Sequence, residues 1–215
     1  MTESAGGIIL RTRPLTETSL IVHWLTPDLG RVATVAKGAR RPKSPFAGKL
    51  DLFYAADFSF TRSRRSDLHA LREVKLVETH GAIREDILKL QQAGYATAFI
   101  EQATETETPL PEIFEQVRAF LQWLCANPPL AQNIVALELK LLRELGLTPE
   151  LEASRLTHGA KKIAGALLEN EWVDSARLKL SPPQAKELQQ WLHGFLIFHL
   201  GKLPRGRSAA LAEGV

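Results

Sequence analysis

From Ile8 to Val77 apolar and polar residues alternate in short runs, the two-residue period of strands with one face turned to a core. Ile8-Ile9-Leu10 opens a strand that runs toward Arg13 and is stopped by Pro14. Leu20-Ile21-Val22-His23-Trp24-Leu25 predicts a second, closed by the turn-rich Thr26-Pro27-Asp28-Leu29-Gly30. Val32-Ala33-Thr34-Val35-Ala36 follows at once, so the pair predicts a hairpin. Tyr54, Ala56, Phe58 and Phe60 alternate with Ala55, Asp57 and Ser59, and Leu68 to Val77 continues the β-rich pattern. Five short antiparallel strands in so little chain suit a small closed barrel of OB type, because closure removes exposed strand edges.

After Gly81 the period lengthens. Ile83, Ile87 and Leu90 fall at helical spacing, and the small residues Ala93, Gly94, Ala96 and Ala98 allow close helix packing. Thr104 to Pro111 is a polar break. Pro111 suits a first helical turn, and Ile113, Val117, Phe120, Leu121 and Leu124 form an apolar stripe that ends at Asn127-Pro128-Pro129. Ile134, Leu137, Leu141 and Leu145 make another, ended by Gly146 with Pro149 beyond. Residues 150–180 predict one short helix over Lys161 to Leu168 and a β-pair near Trp172 and Leu178. Ser181-Pro182-Pro183-Gln184 resembles a capping box, and Leu188, Trp191, Leu192, Phe195, Leu196 and His199 continue on one face. The tail from Pro204, with Arg205 and Arg207, is expected to be loosely held. The predicted organisation is an α+β chain of two domains, a barrel over 1–80 and a mainly helical domain over 81–215.

Charge separates the two parts. Residues 1–80 carry 13 Lys/Arg against 8 Asp/Glu, a net +5. The rest carries 14 against 16, so the chain's overall +3 arises entirely from its first third. A basic module joined to a near-neutral one points to a polyanion partner, while a plain solubility bias is the bland alternative. The single Cys125 leaves no internal disulfide and no multi-cysteine zinc site. The first residues lack the charged and apolar regions of a secretory signal, and no apolar run is long enough for a membrane span. A cytoplasmic location with no membrane contact is therefore expected.

Catalytic patterns do not emerge. Gly38-Ala39-Arg40-Arg41-Pro42-Lys43-Ser44 is one residue short of a phosphate-binding loop and has Pro42 at the glycine position; in Gly48-Lys49, Leu50 supplies no hydroxyl for magnesium. His23, His69, His80, His158, His193 and His199 are scattered, and unclustered histidines are mostly structural. Cys125 follows Leu124 in an apolar stripe and reads as a small packed residue, and Glu85-Asp86 as surface charge. No enzyme activity, cofactor or metal is expected.

The most informative stretch is Lys37 to Lys49. It holds the five cations Lys37, Arg40, Arg41, Lys43 and Lys49, two prolines, two glycines and no carboxylate. It reads as a mobile or extended arm able to follow a phosphodiester backbone, its cations displacing condensed counterions. Arg62, Arg64 and Arg65 mark a second basic connection, and the two connections are expected to flank one groove for a single strand. Phe46 has two readings, stacking on a base or anchoring the arm to the barrel, and the second is the more common role. Trp24 and Tyr54 read as core or rim residues.

These motifs resemble a known family. Gly7-Ile8-Ile9-Leu10-Arg11-Thr12-Arg13-Pro14 with Glu17-Thr18-Ser19-Leu20-Ile21-Val22 resembles the opening of RecO proteins. Leu29-Gly30-Arg31 with Val35-Ala36-Lys37-Gly38-Ala39-Arg40-Arg41-Pro42-Lys43-Ser44 resembles that family's strand and basic loop, and Leu71-Arg72-Glu73 its fifth strand. Glu138 to Leu151 is similar to the helix end before the family's zinc module. The resemblance implies an OB-fold followed by a helical domain. It implies binding of single- and double-stranded DNA, with Arg31 joining the cations above, and annealing of complementary strands. It also implies pairing with RecR, contact with the single-stranded-DNA-binding protein and, indirectly, loading of RecA. The chain departs from the family's zinc-binding members: residues 150–180 contain no cysteine, so a metal-free version is expected, packed by Leu156, Ile163, Leu167 and Trp172. The competing reading is a non-enzymatic interaction adaptor whose barrel and helical groove bind peptides, with incidental nucleic-acid affinity.

Overall fold

The computed structural model describes residues 2–212. Five strands, β1 (Thr2–Pro14), β2 (Leu20–Thr26), β3 (Gly30–Ala36), β4 (Ala55–Thr61) and β5 (Leu68–Glu78), close into a barrel in the order β1-β2-β3-β5-β4. The OB-type barrel read from the alternation is therefore present. β1 starts six residues earlier than its apolar run suggests, because Thr2–Ile8 pairs with β4 while Ile8–Pro14 pairs with β2. One long strand thus serves two neighbours, with a register shift between Ile9 and Arg11 where it bends. Alternate residues point inward, so Ile9, Val22, Trp24, Val32, Phe58, Phe60, Leu71 and Val74 form the barrel core. Trp24 stacks on Phe58 at 4.0 Å, and its indole N–H, buried with the ring, donates to Thr34 Oγ1 at 2.9 Å.

One pairing differs from expectation. Ala33–Val35 runs parallel to Leu68–Ala70, so the strands are not all antiparallel. Alternation along a strand reports which face is buried but not the direction of its neighbour.

Thr104–Arg118 packs with the barrel, and together with the residues up to Gly81 it forms one compact unit. The Arg31 guanidinium donates to the hydroxyl and carbonyl of Thr104, the Glu107 N–H donates to the Arg31 carbonyl at 2.9 Å, and the Leu110 N–H donates to Pro27 at 3.0 Å. Gly30 permits this approach. Its φ is +63°, and a Cβ there would lie 1.8 Å from the Thr108 carbonyl oxygen.

The second unit comprises Ala82–Ala103 and the described residues from Ala119 onward. A 3₁₀ turn over Gly81–Glu85 buries Ile83. Helix α1 (Ile87–Ala103) then begins after Asp86, whose carboxylate accepts the Leu88 N–H at 2.8 Å. Ile87 is 66% exposed, so the predicted Ile83-Ile87-Leu90 stripe is broken by this cap. Helix α2 (Pro111–Ala126) buries the whole predicted stripe from Ile113 to Leu124. Helix α3 (Ala131–Glu144) is buried on every side and packs against α4 (His158–Glu169), α5 (Trp172–Arg177) and α6 (Pro182–Leu200). Its polar residues are therefore all paired. Asn133 donates to the Pro128 carbonyl, and Lys140 donates to the carbonyls of Leu168 and Asn170 at 3.2 and 2.7 Å. Burial, with Arg143 nearby, lowers the Lys140 pKa.

In residues 150–180 Leu156, Ala160, Ala164, Leu167, Leu168 and Trp172 are buried, while Ile163 is only half-buried. Among the described residues no group of three or more His, Cys, Asp or Glu is placed to hold a metal. The predicted β-pair near Trp172 is instead α5, held by Trp172 packing on Phe120 at 5.2 Å and by the Asp174–Arg177 pair one turn apart. At Ser181 the capping box forms, with the Gln184 side chain accepting the Ser181 N–H at 3.0 Å. Within the described part of the tail, Arg207–Ala210 forms a last helical turn, α7, packed against α1 with Arg207 buried, so this part is not loose; residues 213–215 lie outside the described residues. No described helix is long and apolar enough to cross a membrane.

Candidate nucleic-acid interface

The connection from β3 to β4 carries the basic segment, and it is neither extended nor detached. Its backbone closes successive turns through Arg41→Gly38, Ser44→Arg41, Ala47→Ser44 and Lys49→Phe46 hydrogen bonds of 3.0–3.1 Å. Three anchors tie it to the barrel. The Arg40 N–H donates to the Thr18 carbonyl at 2.9 Å, Phe46 is buried among the barrel core residues, and Phe53 is buried with its N–H on the Ile9 carbonyl at 2.8 Å. The expected mobile arm is thus a folded ledge. The prolines and glycines that suggested mobility supply its turns. Lys37, Arg40, Arg41 and Lys43 project from this ledge into solvent, and Lys49 is half-exposed.

Phe46 is only 6% exposed and packs among the barrel core residues, the placement of an anchor, and the little surface it keeps lines a groove. That groove, of about 650 Å³ along β1, β4 and β5, is also bordered by Pro45 and Lys49. Arg72 and Lys75 line it with Lys49, facing the carboxylates of Asp57 and Glu73. Arg72 and Lys75 were absent from the sequence candidates. On an outward strand face they look like any solvated charge, and only the ledge folding over β4 and β5 makes them part of a groove.

The second basic connection lies elsewhere. Because β5 runs parallel to β3, the β4–β5 connection enters at the barrel end where β3 begins, whereas the ledge leaves from the end where β3 finishes. The two connections therefore do not flank one groove as expected. Arg62 is also engaged: its guanidinium meets Glu3 at 2.9 and 3.0 Å and Glu107 at 3.0 Å. The Glu3 carboxyl is held below its usual range by that bond. Arg64 and Arg65 are exposed.

Arg31 belongs to a third place, the wall of β1, β2 and β3. It borders a smaller cavity of about 240 Å³ with Arg11 and His23. Burial lowers the His23 pKa to about 4, and the positive charges of Arg11, Arg13 and Arg31 push the same way. The folded chain therefore refuses a proton that the unfolded chain, titrating near 6.5, accepts. The stabilisation is complete above pH 6.5 and is lost as pH falls toward 4, by about 2 kcal/mol once partial solvent access is allowed for. Urea unfolding at pH 7.5 and pH 4.5 should show that loss in the parent chain. The loss should be smaller by about that amount in His23→Gln, and an equal loss in both would refute the assignment.

Two comparisons bear on this arrangement. Residues 1–80 match the family model described as Recombination protein O N terminal, and residues 84–158 match that described as Recombination protein O C terminal. The chain is 35% identical over 147 residues to "DNA repair protein RecO" of Anaeromyxobacter sp. (strain K), a match covering 68% of this chain and 58% of that protein. It is 28% identical over 207 residues to the Bacillus pumilus (strain SAFR-032) protein of the same name, covering 92% and 79%. The matched region thus spans little more than half the length of the Anaeromyxobacter relative. With both terminal models matched in order, one on the barrel and one on the helices that follow, the chain belongs to the Recombination protein O (RecO) family.

Proposed function

We propose that this protein is a non-enzymatic mediator of DNA repair and recombination. In this reading the barrel of residues 1–80 binds single- and double-stranded DNA and promotes annealing of complementary strands. The helical part, including the cysteine-free region at 150–180, supports partners. Those partners are RecR and the single-stranded-DNA-binding protein, with RecA loaded indirectly onto strands that the latter coats. The setting is the cytoplasm, at the nucleoid.

The observation that carries the reading is the ledge. Lys37, Arg40, Arg41 and Lys43 project from consecutive turns of a segment without a carboxylate, on a backbone tied to the barrel at both ends. Fixed cations can replace the counterions condensed on a strand without first being ordered themselves. Lys49, Arg72 and Lys75 continue the cationic surface along the groove, and Arg64 and Arg65 offer a separate contact at the other barrel end. The names of the relatives, each a DNA repair protein, agree with this reading.

The test is annealing of complementary oligonucleotides already coated with the cognate single-stranded-DNA-binding protein. The parent chain should accelerate it, and the Arg40→Glu/Arg41→Glu variant should bind single strands roughly 10- to 100-fold more weakly and lose most of the acceleration. Acceleration on naked strands alone would remove the mediator role, and none on either would remove the reading entirely.

A further inference from the structure

The groove along β1, β4 and β5 places two carboxylates on a surface otherwise suited to phosphates. Strand register sets them out. On the outward face Gly6 of β1, Asp57 of β4 and Lys75 of β5 stand side by side in one row, and Ser4, Ser59 and Glu73 in the next. β4 pairs with both β1 and β5, so Asp57 is central and Glu73 lies to one side. Gly6 keeps the β1 side of Asp57 open. A Cβ there would lie 3.5 Å from Asp57 Oδ1, and any longer side chain would crowd the carboxylate. Among the described residues the carboxylates of Asp57 and Glu73 enter no hydrogen bond and no ion pair, although Lys75 stands beside Asp57.

An acceptor in this position repels phosphates and needs a donor on the strand. Internal phosphates and deoxyriboses carry no N–H or O–H group, so the donors are base edges. Guanine fits best. Its N1–H and N2–H lie side by side, the fork that one carboxylate accepts with both oxygens. Adenine and cytosine offer one amino group beside a ring acceptor, and the thymine N3–H lies between two carbonyl oxygens that repel an acceptor. The rest of the groove matches the other parts of a nucleotide. Ala5, Pro45 and Val74 offer apolar surface to the base, and Lys49 and Lys75 offer cations to the adjoining phosphates. A volume of about 650 Å³ is in the range of a small-molecule site and holds one nucleotide.

We infer that the groove selects guanine on a single strand, with the Asp57 carboxylate accepting from N1–H and N2–H of the base. The inference rests on the reading of this surface as a DNA-binding one, and adds base selection to its phosphate contacts. Glu73 contributes charge and not the fork. A duplex pairs the guanine edge with cytosine, so the selection belongs to single strands.

The experiment uses the whole chain and three short strands of equal length: alternating thymidine and deoxyguanosine, alternating thymidine and deoxyinosine, and thymidine alone. Inosine lacks only the N2 amino group of guanine, and lithium buffer keeps the guanine strand from forming quadruplexes. Binding is read by fluorescence anisotropy at low and high salt. The guanine strand should bind about tenfold tighter than the inosine strand. Both affinities should fall with salt while their ratio holds, because the fork releases no counterions. Asp57→Asn keeps the size of the side chain but breaks the two-oxygen fork, and should bring the ratio to about one. Glu73→Gln removes the same charge and should leave the ratio in place. Equal binding of the guanine and inosine strands would overturn the inference while leaving the DNA-binding reading standing. So would a ratio that survives Asp57→Asn or is lost in Glu73→Gln. Failure of every strand to bind would overturn both.

Discussion

Replacing Arg207 with Ala should lower the stability of the helical unit by about 3–5 kcal/mol, the range found when one partner of a buried ion pair is removed. Its guanidinium meets Glu138 at 2.6 and 2.9 Å, and the two side chains are only 7% and 0% exposed. The Tyr95 hydroxyl donates to the same carboxylate at 2.5 Å. Burial, followed by the Glu138 charge, drives the Tyr95 pKa upward, so the phenol remains a donor. Without Arg207 the carboxylate in the middle of α3 keeps one neutral donor and no counter-charge. The control is Glu138→Leu/Arg207→Leu, which removes both charges and should cost far less than either single change. Denaturant midpoints of the three variants check this. A loss under 1 kcal/mol for Arg207→Ala would mean that α7 does not seal the unit.

Phe46→Ala should cost about 3–5 kcal/mol in barrel stability, the usual loss for deleting a buried aromatic ring. It should also weaken oligonucleotide binding, because the turns carrying Arg40, Arg41 and Lys43 lose their middle anchor. Phe46→Leu separates the two meanings of this residue. An anchor keeps most of its packing as leucine, so both stability and binding should largely survive. A base-stacking ring would instead lose affinity as leucine at unchanged stability. Thermal unfolding and anisotropy on the same samples decide between them.

The strands were legible because a half-buried sheet writes its faces into the sequence. Ala56, Phe58 and Phe60 alternate with Ala55, Asp57 and Ser59, and the first three are the buried ones. The α2 stripe was legible for the same reason at helical period. Features that depend on chain parts far apart were not. Glu138 and Arg207 are 69 positions apart, so a basic residue near the chain end looked like a free tail. The parallel β3–β5 pairing separates the two basic connections, and no local pattern records it. Trp172 followed by Val173 has strand-like character, yet packing on Phe120 settles the segment as helix. Among the candidate DNA contacts, exposed Lys37, Arg40, Arg41 and Lys43 could be read from charge and turn composition. The engagement of Arg62 by Glu3 and Glu107 could not.

The central claim is that the ledge cations meet phosphates. Its most direct test is the salt dependence of single-strand binding by the parent chain and by Arg40→Gln/Arg41→Gln. Each phosphate contact contributes a slope of about −0.7 in log affinity against log salt on a single strand, so two lost contacts should flatten the slope by about 1.4. A flattened slope with unchanged folding is the predicted result. The parent slope retained in the variant would contradict it, since it would place the phosphates elsewhere on the protein.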